Sequence, residues 1–297
     1  MLEFDYIERP PLDSFKRALG ELWVLGALEV DGSLSTLGKQ MAMFPVEPTM
    51  AKALILSDQY ACSIEVMAVL AMLSSENLLI TPSTVEQQGE RQSASVQSAQ
   101  QARAAYTSPY GDHITLLRLH DAYMKESKNE RKDWCKRHLI NDKAMKKVLE
   151  VEQQLREYWD TLGWPLKSCR QTRHVSSEGQ GTGEEEWLTL RKCFTAAFFN
   201  QLAIASESGE RGRYETLLER KEVQVHPTSA LFQKKAIAVV YHSLVLTTKQ
   251  YMRGVLRVEP DWIVELQPEL RRIRAQLPSS MTGTSSSGLK GSNKLKK

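Results

Sequence analysis

The sequence predicts an α+β fold, mainly α: helices around a small hairpin, then a helical bundle, then a small β-barrel. Three observations carry this reading. Apolar residues recur at positions 3, 4 and 7 apart through much of the chain up to Leu162. Asp31-Gly32 lies between two short apolar runs, the strongest local hairpin signal. Beyond Ala203 the pattern becomes short β-branched and aromatic runs separated by Gly, Pro, Ser and Lys.

In order, Pro10-Pro11 bars an earlier helix, Asp13 is placed as a cap, and Phe15, Ala18, Leu19, Leu22 and Trp23 mark a buried helix face ended by Gly26. The hairpin runs from Ala27–Val30 to Ser33–Leu34, and Thr36 is placed to cap a short helix before Pro45. Helices follow over Thr49–Tyr60 and Ser63–Leu73, completing a winged-helix-like unit over residues 1–76. Residues 77–94 read as a polar crossing, and Ser95–Tyr106 as a helix. Asp112 is the expected cap of the next helix, and Trp134-Cys135 opens an apolar patch. The longest element is Asn141–Leu162, with Met145, Val148, Val151, Leu155, Tyr158, Trp159 and Leu162 on one stripe. Its other face carries Lys143, Lys146, Lys147 and Arg156, and the bundle spans residues 77–168. A Ser/Gly/Gln/Glu-rich flexible linker is expected over 169–186, then an amphipathic helix over Trp187–Ala203. Strands over Tyr214–Leu218, Val223–Val225, Ala236–Thr247 and Val255–Val258, and a short helix after Pro260, make residues 187–278 a small barrel of the OB type. Residues 279–297 read as a disordered basic tail.

Composition removes several classes. The chain has 297 residues, 39 Lys plus Arg against 36 Asp plus Glu, and 41% apolar residues, which excludes collagen, mucin and wholly disordered chains. Its longest apolar run, Val66–Leu73, is far short of the roughly 18 residues a membrane helix requires, so no membrane partner is expected. Cys62, Cys135, Cys169 and Cys193 form no C-x-x-C and read as reduced thiols. Charge is uneven: residues 1–76 hold 5 basic against 11 acidic side chains, the bundle 14 against 12, and the tail four lysines. An acidic winged-helix unit argues against groove reading of DNA and for protein contact.

Reactive constellations are missing. Gly32 to Lys39 has one residue too many between its glycines, and Gln40 stands where a phosphate loop needs a hydroxyl. Cys135 and His138 are half a zinc site without a second pair. No catalytic or metal residue and no cofactor is assigned. The interesting chemistry is Thr247-Thr248-Lys249-Gln250-Tyr251-Met252-Arg253 beside His226-Pro227-Thr228-Ser229-Ala230-Leu231-Phe232, a loop of hydroxyls ending in an apolar anchor. Hydroxyls, cations and a ring form the inventory of a single-stranded nucleic-acid groove, and equally of an ordinary strand and turn.

Eight motifs in this order resemble the C-terminal half of a DEAH-box RNA helicase. They are Phe4–Pro11, Leu25–Gly38, Phe44–Pro48, Ala68–Ser74, Gly111–Leu117, Trp134-Cys135, His226–Phe232 and Thr247–Arg253. The resemblance implies a winged helix, a ratchet-like helical domain and an OB-fold that pack against two RecA-like ATPase domains, the seat of ATP and Mg²⁺ in that family. With those domains upstream of the resemblance, the chain is expected to have no ATPase activity alone. It implies single-stranded RNA as partner, glycine-patch proteins as activators, and a nuclear or nucleolar location, with the cytoplasm as a further one. Thr248, Lys249, Tyr251 and Arg253 are then expected to contact backbone and base, with Ser229 as a neighbouring donor and Lys143 and Lys147 on the bundle side. Two departures stand out: Lys143 replaces a usual arginine, losing its fork geometry, and Glu152 replaces a usually basic residue. The other expectation is a non-catalytic interaction module that binds helicase activators or competes with a full-length helicase.

Overall fold

The computed structural model describes residues 7, 11–75, 77–80, 94–170, 187–206, 212–247 and 249–265. Most of the expected linker, the tail and Thr248 lie outside the described residues.

Helix α1, Leu12–Val24, starts at Pro11, which has no side-chain cap to offer. Asp13 lies inside the first turn, where its charge suits the helix dipole, and is not the cap. The expected hairpin shrinks to a single bridge, Leu28↔Leu34, closed by Glu29 N–H to Ser33 O at 2.8 Å. Its arms are too short for a ladder, and Val30 at the tip is 84% exposed, so no apolar face holds a longer one. Ser35, rather than Thr36, caps α2 (Thr36–Met41): its hydroxyl accepts from Gly38 N–H at 2.9 Å and donates to Gly26 O at 2.6 Å. Gly38 permits that closeness, because a Cβ there would stand 2.0 Å from Ala27 O. Gly38→Ala is expected to lower the melting temperature, read by thermal circular dichroism; an unchanged value would mean that the α2 contact is not structural.

Helices α3 (Pro48–Gln59) and α4 (Ser63–Leu73) form the centre. Nearly every α4 residue is buried, which is how a helix apolar on all sides must sit. It packs against α6 (Asp112–Lys125) and α8 (Asp142–Thr161), while α5 (Ala94–Ala104) and α7 (Arg131–Arg137) complete the bundle. Asn141 caps α8 by accepting from Lys143 N–H at 3.1 Å and Ala144 N–H at 3.3 Å. The apolar stripe of α8 is buried at Met145, Val148, Leu155 and Trp159, while Tyr158 is exposed.

After α9 (Leu188–Ala197) a 3-10 turn, Phe199–Gln201, leads into the barrel. The predicted helix to Ala203 is therefore too long: Leu202–Ala205 is β1. So short an apolar run has no periodicity to tell strand from helix, and here the ladder with the barrel decides it. Strands β2 (Arg213–Thr216), β3 (Glu222–Val225), β4 (Ala238–Leu246) and β5 (Gln250–Val258) close a barrel in the order β1-β2-β3-β5-β4, followed by α10 (Pro260–Glu265). Tyr214, Val223, Val239, Met252 and Val255 are among its filling. The α+β, mainly α expectation holds, with helices first and an OB-type barrel after them.

All four cysteines are free thiols. Burial pushes the Cys135 thiol up to about 11 and the Cys169 thiol up to about 12. No helix among the described residues is long and apolar enough to cross a membrane.

Candidate nucleic-acid interface

The bundle and the barrel are joined at the start of α6. Gly111 has φ +118°, and a Cβ on it would lie 2.2 Å from Val255 O, so only glycine lets the two backbones meet. Gly111 bridges Leu256, and Arg257 N–H donates to Tyr110 O at 2.8 Å. Asp112 does not cap α6; its carboxylate turns into the barrel. It accepts from Ala230 N–H at 2.6 Å, Ser229 Oγ at 3.0 Å and Val255 N–H at 2.7 Å. Desolvation raises its pKa, and these three donors work against that rise. The bonds tie the loop between β3 and β4, and the middle of β5, to the bundle. Ser229 is therefore not a spare donor, since its hydroxyl proton is committed to Asp112.

This joint leaves a cleft of about 1640 Å³ between bundle and barrel. Ser229, Arg253 and Lys147 line it, and Lys143, one helical turn earlier on α8, does not. Of the four cations on the polar side of α8, two are spent: Lys146 pairs with Asp142 at 2.9 Å and Arg156 with Glu152 at 2.7 Å. Lys143 and Lys147 are exposed and make no ion pair among the described residues. Glu152 is buried and also meets His120 Nε2 at 2.8 Å. Burial works to raise its pKa, yet the bonds from His120 and Arg156 hold it below the ordinary value. It serves the bundle's interior.

On the barrel side, Ser243 pairs with Arg253 and Val245 with Tyr251 across β4 and β5. The neighbouring pair, Leu244 and Met252, faces the barrel core, so Tyr251, Arg253, Ser243 and Val245 share the outer face. Tyr251 is half-buried and Arg253 exposed. His226 stands edge-on to the Tyr251 ring with centroids 5.7 Å apart, and its Nδ1 is 2.7 Å from Thr228 Oγ1. Burial and the nearby Arg253 charge lower its pKa, so the ring is neutral at physiological pH. Lys249 is exposed in the turn that follows β4. Among the described residues no group of three or more His, Cys, Asp or Glu is placed to hold a metal ion.

Comparisons with known proteins agree with this architecture. Residues 18–46 match the helicase-associated domain (HA2), winged-helix; residues 47–116 match the HA2 ratchet-like domain; residues 190–270 match an oligonucleotide/oligosaccharide-binding (OB)-fold. The chain is 34% identical over 268 residues to the pre-mRNA-splicing factor ATP-dependent RNA helicase prp22 of Schizosaccharomyces pombe, covering 90% of this chain and 20% of that protein. It is 34% identical over 275 residues to the ATP-dependent RNA helicase DHX33 of Mus musculus, covering 92% of this chain and 35% of that protein. The chain carries the helicase-associated domains of the DEAH-box RNA helicases. It spans between a fifth and about a third of the length of these relatives.

In this helicase-associated region the structure brings Arg253 and Lys147 to one cleft, places Tyr251 on the same sheet face as Arg253 but outside the cleft's lining, and leaves Lys249 in the β4–β5 turn and Lys143 outside. Ser243 and Lys234, which also line the cleft, are not singled out from sequence, and His226 is named only as the first residue of its loop. A signal for them exists. Between Glu222 and Glu259 there is no Asp or Glu at all, whereas Lys234, Lys235, Lys249, Arg253 and Arg257 fall in that stretch. In a chain with 36 acidic residues among 297, about four would be expected there.

Proposed function

We propose that this helicase-associated region holds single-stranded RNA in the cleft between bundle and barrel, as the RNA-side accessory part of an ATP-dependent RNA helicase. The observation that supports it most is the acid-free stretch folded against the cleft, with Arg253 beside the Tyr251 ring on one sheet face and Lys147 on the opposite wall. Cations without carboxylate partners attract phosphate, and an accessible ring stacks a base of any identity. Lys249 is the hairpin-end contact, and Thr248, its neighbour in sequence, is proposed to act with it. Unwinding would draw on ATP turned over by RecA-like domains of the complete helicase. Pre-mRNA processing in the nucleus is the setting suggested by the relative named as a splicing factor.

A fluorescence anisotropy titration with labelled oligo-U tests this. Lys249→Ala with Arg253→Ala is expected to weaken binding and to flatten the dependence of log K on log salt by about 1.4, at roughly 0.7 per phosphate contact on a single strand. An unchanged salt slope would sink the assignment.

A second reading concerns the winged-helix end. The α1 stripe that sequence placed in a core is only partly covered: Phe15, Leu22 and Trp23 are half-buried, Leu19 is 40% exposed, and Leu12 at the helix start is 56% exposed. In our reading this apolar strip, on an acidic unit, is where the helicase core docks or an activator such as a glycine-patch protein binds. Leu12→Ser with Leu19→Ser is expected to leave RNA binding intact and to weaken co-purification with RecA-like domains supplied separately. Retained co-purification would overturn it.

A further inference from the structure

We infer that the arc Phe232–Ile237, in the loop between β3 and β4, is a second station for single-stranded RNA, in which Phe232 stacks a base and Lys234 and Lys235 contact adjoining phosphates. The inference rests on the reading of the cleft as an RNA site and extends the track past its edge.

The first observation is a reversal within the loop. Sequence makes Phe232 the apolar anchor of His226–Phe232, but the anchor is Leu231, 2% exposed in the barrel core, while Phe232 is 39% exposed. A ring left on the surface next to a filled core has lost the usual reason for being aromatic. Lys234 and Lys235 are both exposed and neither forms an ion pair among the described residues, although Lys234 lies near enough to Asp112 for their charges to interact. Nearby lysines of the barrel do find partners, as Lys221 does with Glu219 at 2.8 Å. The absence of acids from 223 to 258 leaves these two with no carboxylate on their own segment.

The second observation is that the arc is held rather than loose. At one end Asp112 fixes Ser229 and Ala230. Phe232 N–H then donates to Ser229 O at 3.1 Å and Lys234 N–H to Leu231 O at 3.0 Å. At the other end the buried Tyr214 hydroxyl donates to Ala236 O at 3.1 Å. Between them Gln233 has φ +58°, the left-handed region that a residue with a Cβ occupies only when its surroundings impose it. A ring and two ammonium groups displayed on a pinned loop lose less conformational entropy on binding than the same groups on a mobile one.

The third observation is continuity. Lys234 lines the cleft that also holds Lys147 and Arg253, so a strand leaving the cleft along the barrel meets Phe232 without crossing an acidic side chain of the barrel segment 223–258. Ile237, 65% exposed at the end of the arc, makes an apolar protein segment the competing occupant. The unpaired lysines and the join to the cleft favour the nucleic acid.

The test is anisotropy with labelled oligo-U of 4 and 12 nucleotides on the full 297-residue chain. Phe232→Ala is expected to weaken binding of the 12-mer by about 5- to 150-fold, the effect of one lost base stack, with its salt slope unchanged. The 4-mer, short enough to stay within the cleft, is expected to lose little. Phe232→Trp should restore the 12-mer affinity, which a merely structural ring would not require. Lys234→Gln with Lys235→Gln should flatten the slope by about 1.4. If Phe232→Ala leaves the 12-mer unaffected while the Lys249/Arg253 double variant loses affinity, the second station is wrong and the cleft reading stands; a protein segment is then the occupant to seek. If neither set changes binding, both fall. A wild-type chain that binds no oligonucleotide overturns both as well.

Discussion

Lowering the pH from 7 to 5 is expected to destabilise the protein by about 2 kcal/mol through His113 alone. That side chain is completely buried between α6 and α9, with its ring 4.5 Å from Phe194 and 6.1 Å from Phe198. Neither ring nitrogen has a hydrogen-bond partner among the described residues. Burial, and then the neighbouring His242, depress its pKa from 6.5 to about 3. The folded state therefore keeps His113 neutral, whereas the unfolded chain takes up a proton near pH 6.5. Stability from this group is complete above that pH and is lost as pH falls towards 3, at about 1.4 kcal/mol per pH unit. His226 and His242, whose pKa values are also lowered, act in the same direction. Asp112, held above the ordinary carboxylate value, acts the other way. Urea melts at pH 7 and pH 5 read the slope, and His113→Leu should flatten it by about one proton while leaving stability at pH 7 equal or higher. A variant with the wild-type slope would remove His113 as the cause.

Asp112→Ala is expected to cost on the order of 4 kcal/mol at pH 7. It strands the N–H groups of Ala230 and Val255 and the Ser229 hydroxyl in a partly buried joint, where each donor left unpaired costs towards the lower part of about 1–3 kcal/mol. Asp112→Asn keeps the shape and one acceptor oxygen but points an amide N–H₂ at a backbone donor, so it should fall between alanine and wild type. Urea midpoints give the order, and an alanine variant as stable as wild type would mean that the joint is not held here. RNA affinity should follow the same order, since the loop carrying His226 and Phe232 hangs from this carboxylate.

Much of the fold is legible because it is local. The α4 helix has the expected bounds, and the α8 stripe is visible in spacing alone. The failures are equally physical. Asp13, Thr36 and Asp112 are all good capping residues at helix starts, yet none caps, because propensity cannot say which of two adjacent hydroxyls reaches the N–H or whether a carboxylate will be taken by another domain. The hairpin signal at Asp31-Gly32 is real, but a turn without long arms yields one bridge. The site divides in the same way. Tyr251 and Arg253 share a face because strand period is two, which sequence supplies. Which lysines remain free for a ligand depends on which carboxylates lie beside them.

The sequence by itself determined the order of domains, the change from helical to strand pattern, and the acid-free segment that marks the barrel's charged face. These are properties of runs of neighbouring residues. Only the tertiary structure decided that Asp112 locks the bundle to the barrel, that Ser229 is spent in that lock, that Glu152 is buried between His120 and Arg156, and that Phe232 rather than Leu231 is left outside. Each is a competition among groups more than about thirty positions apart or for a single place in the core, and burial settles it by making every polar atom find its partner inside the fold.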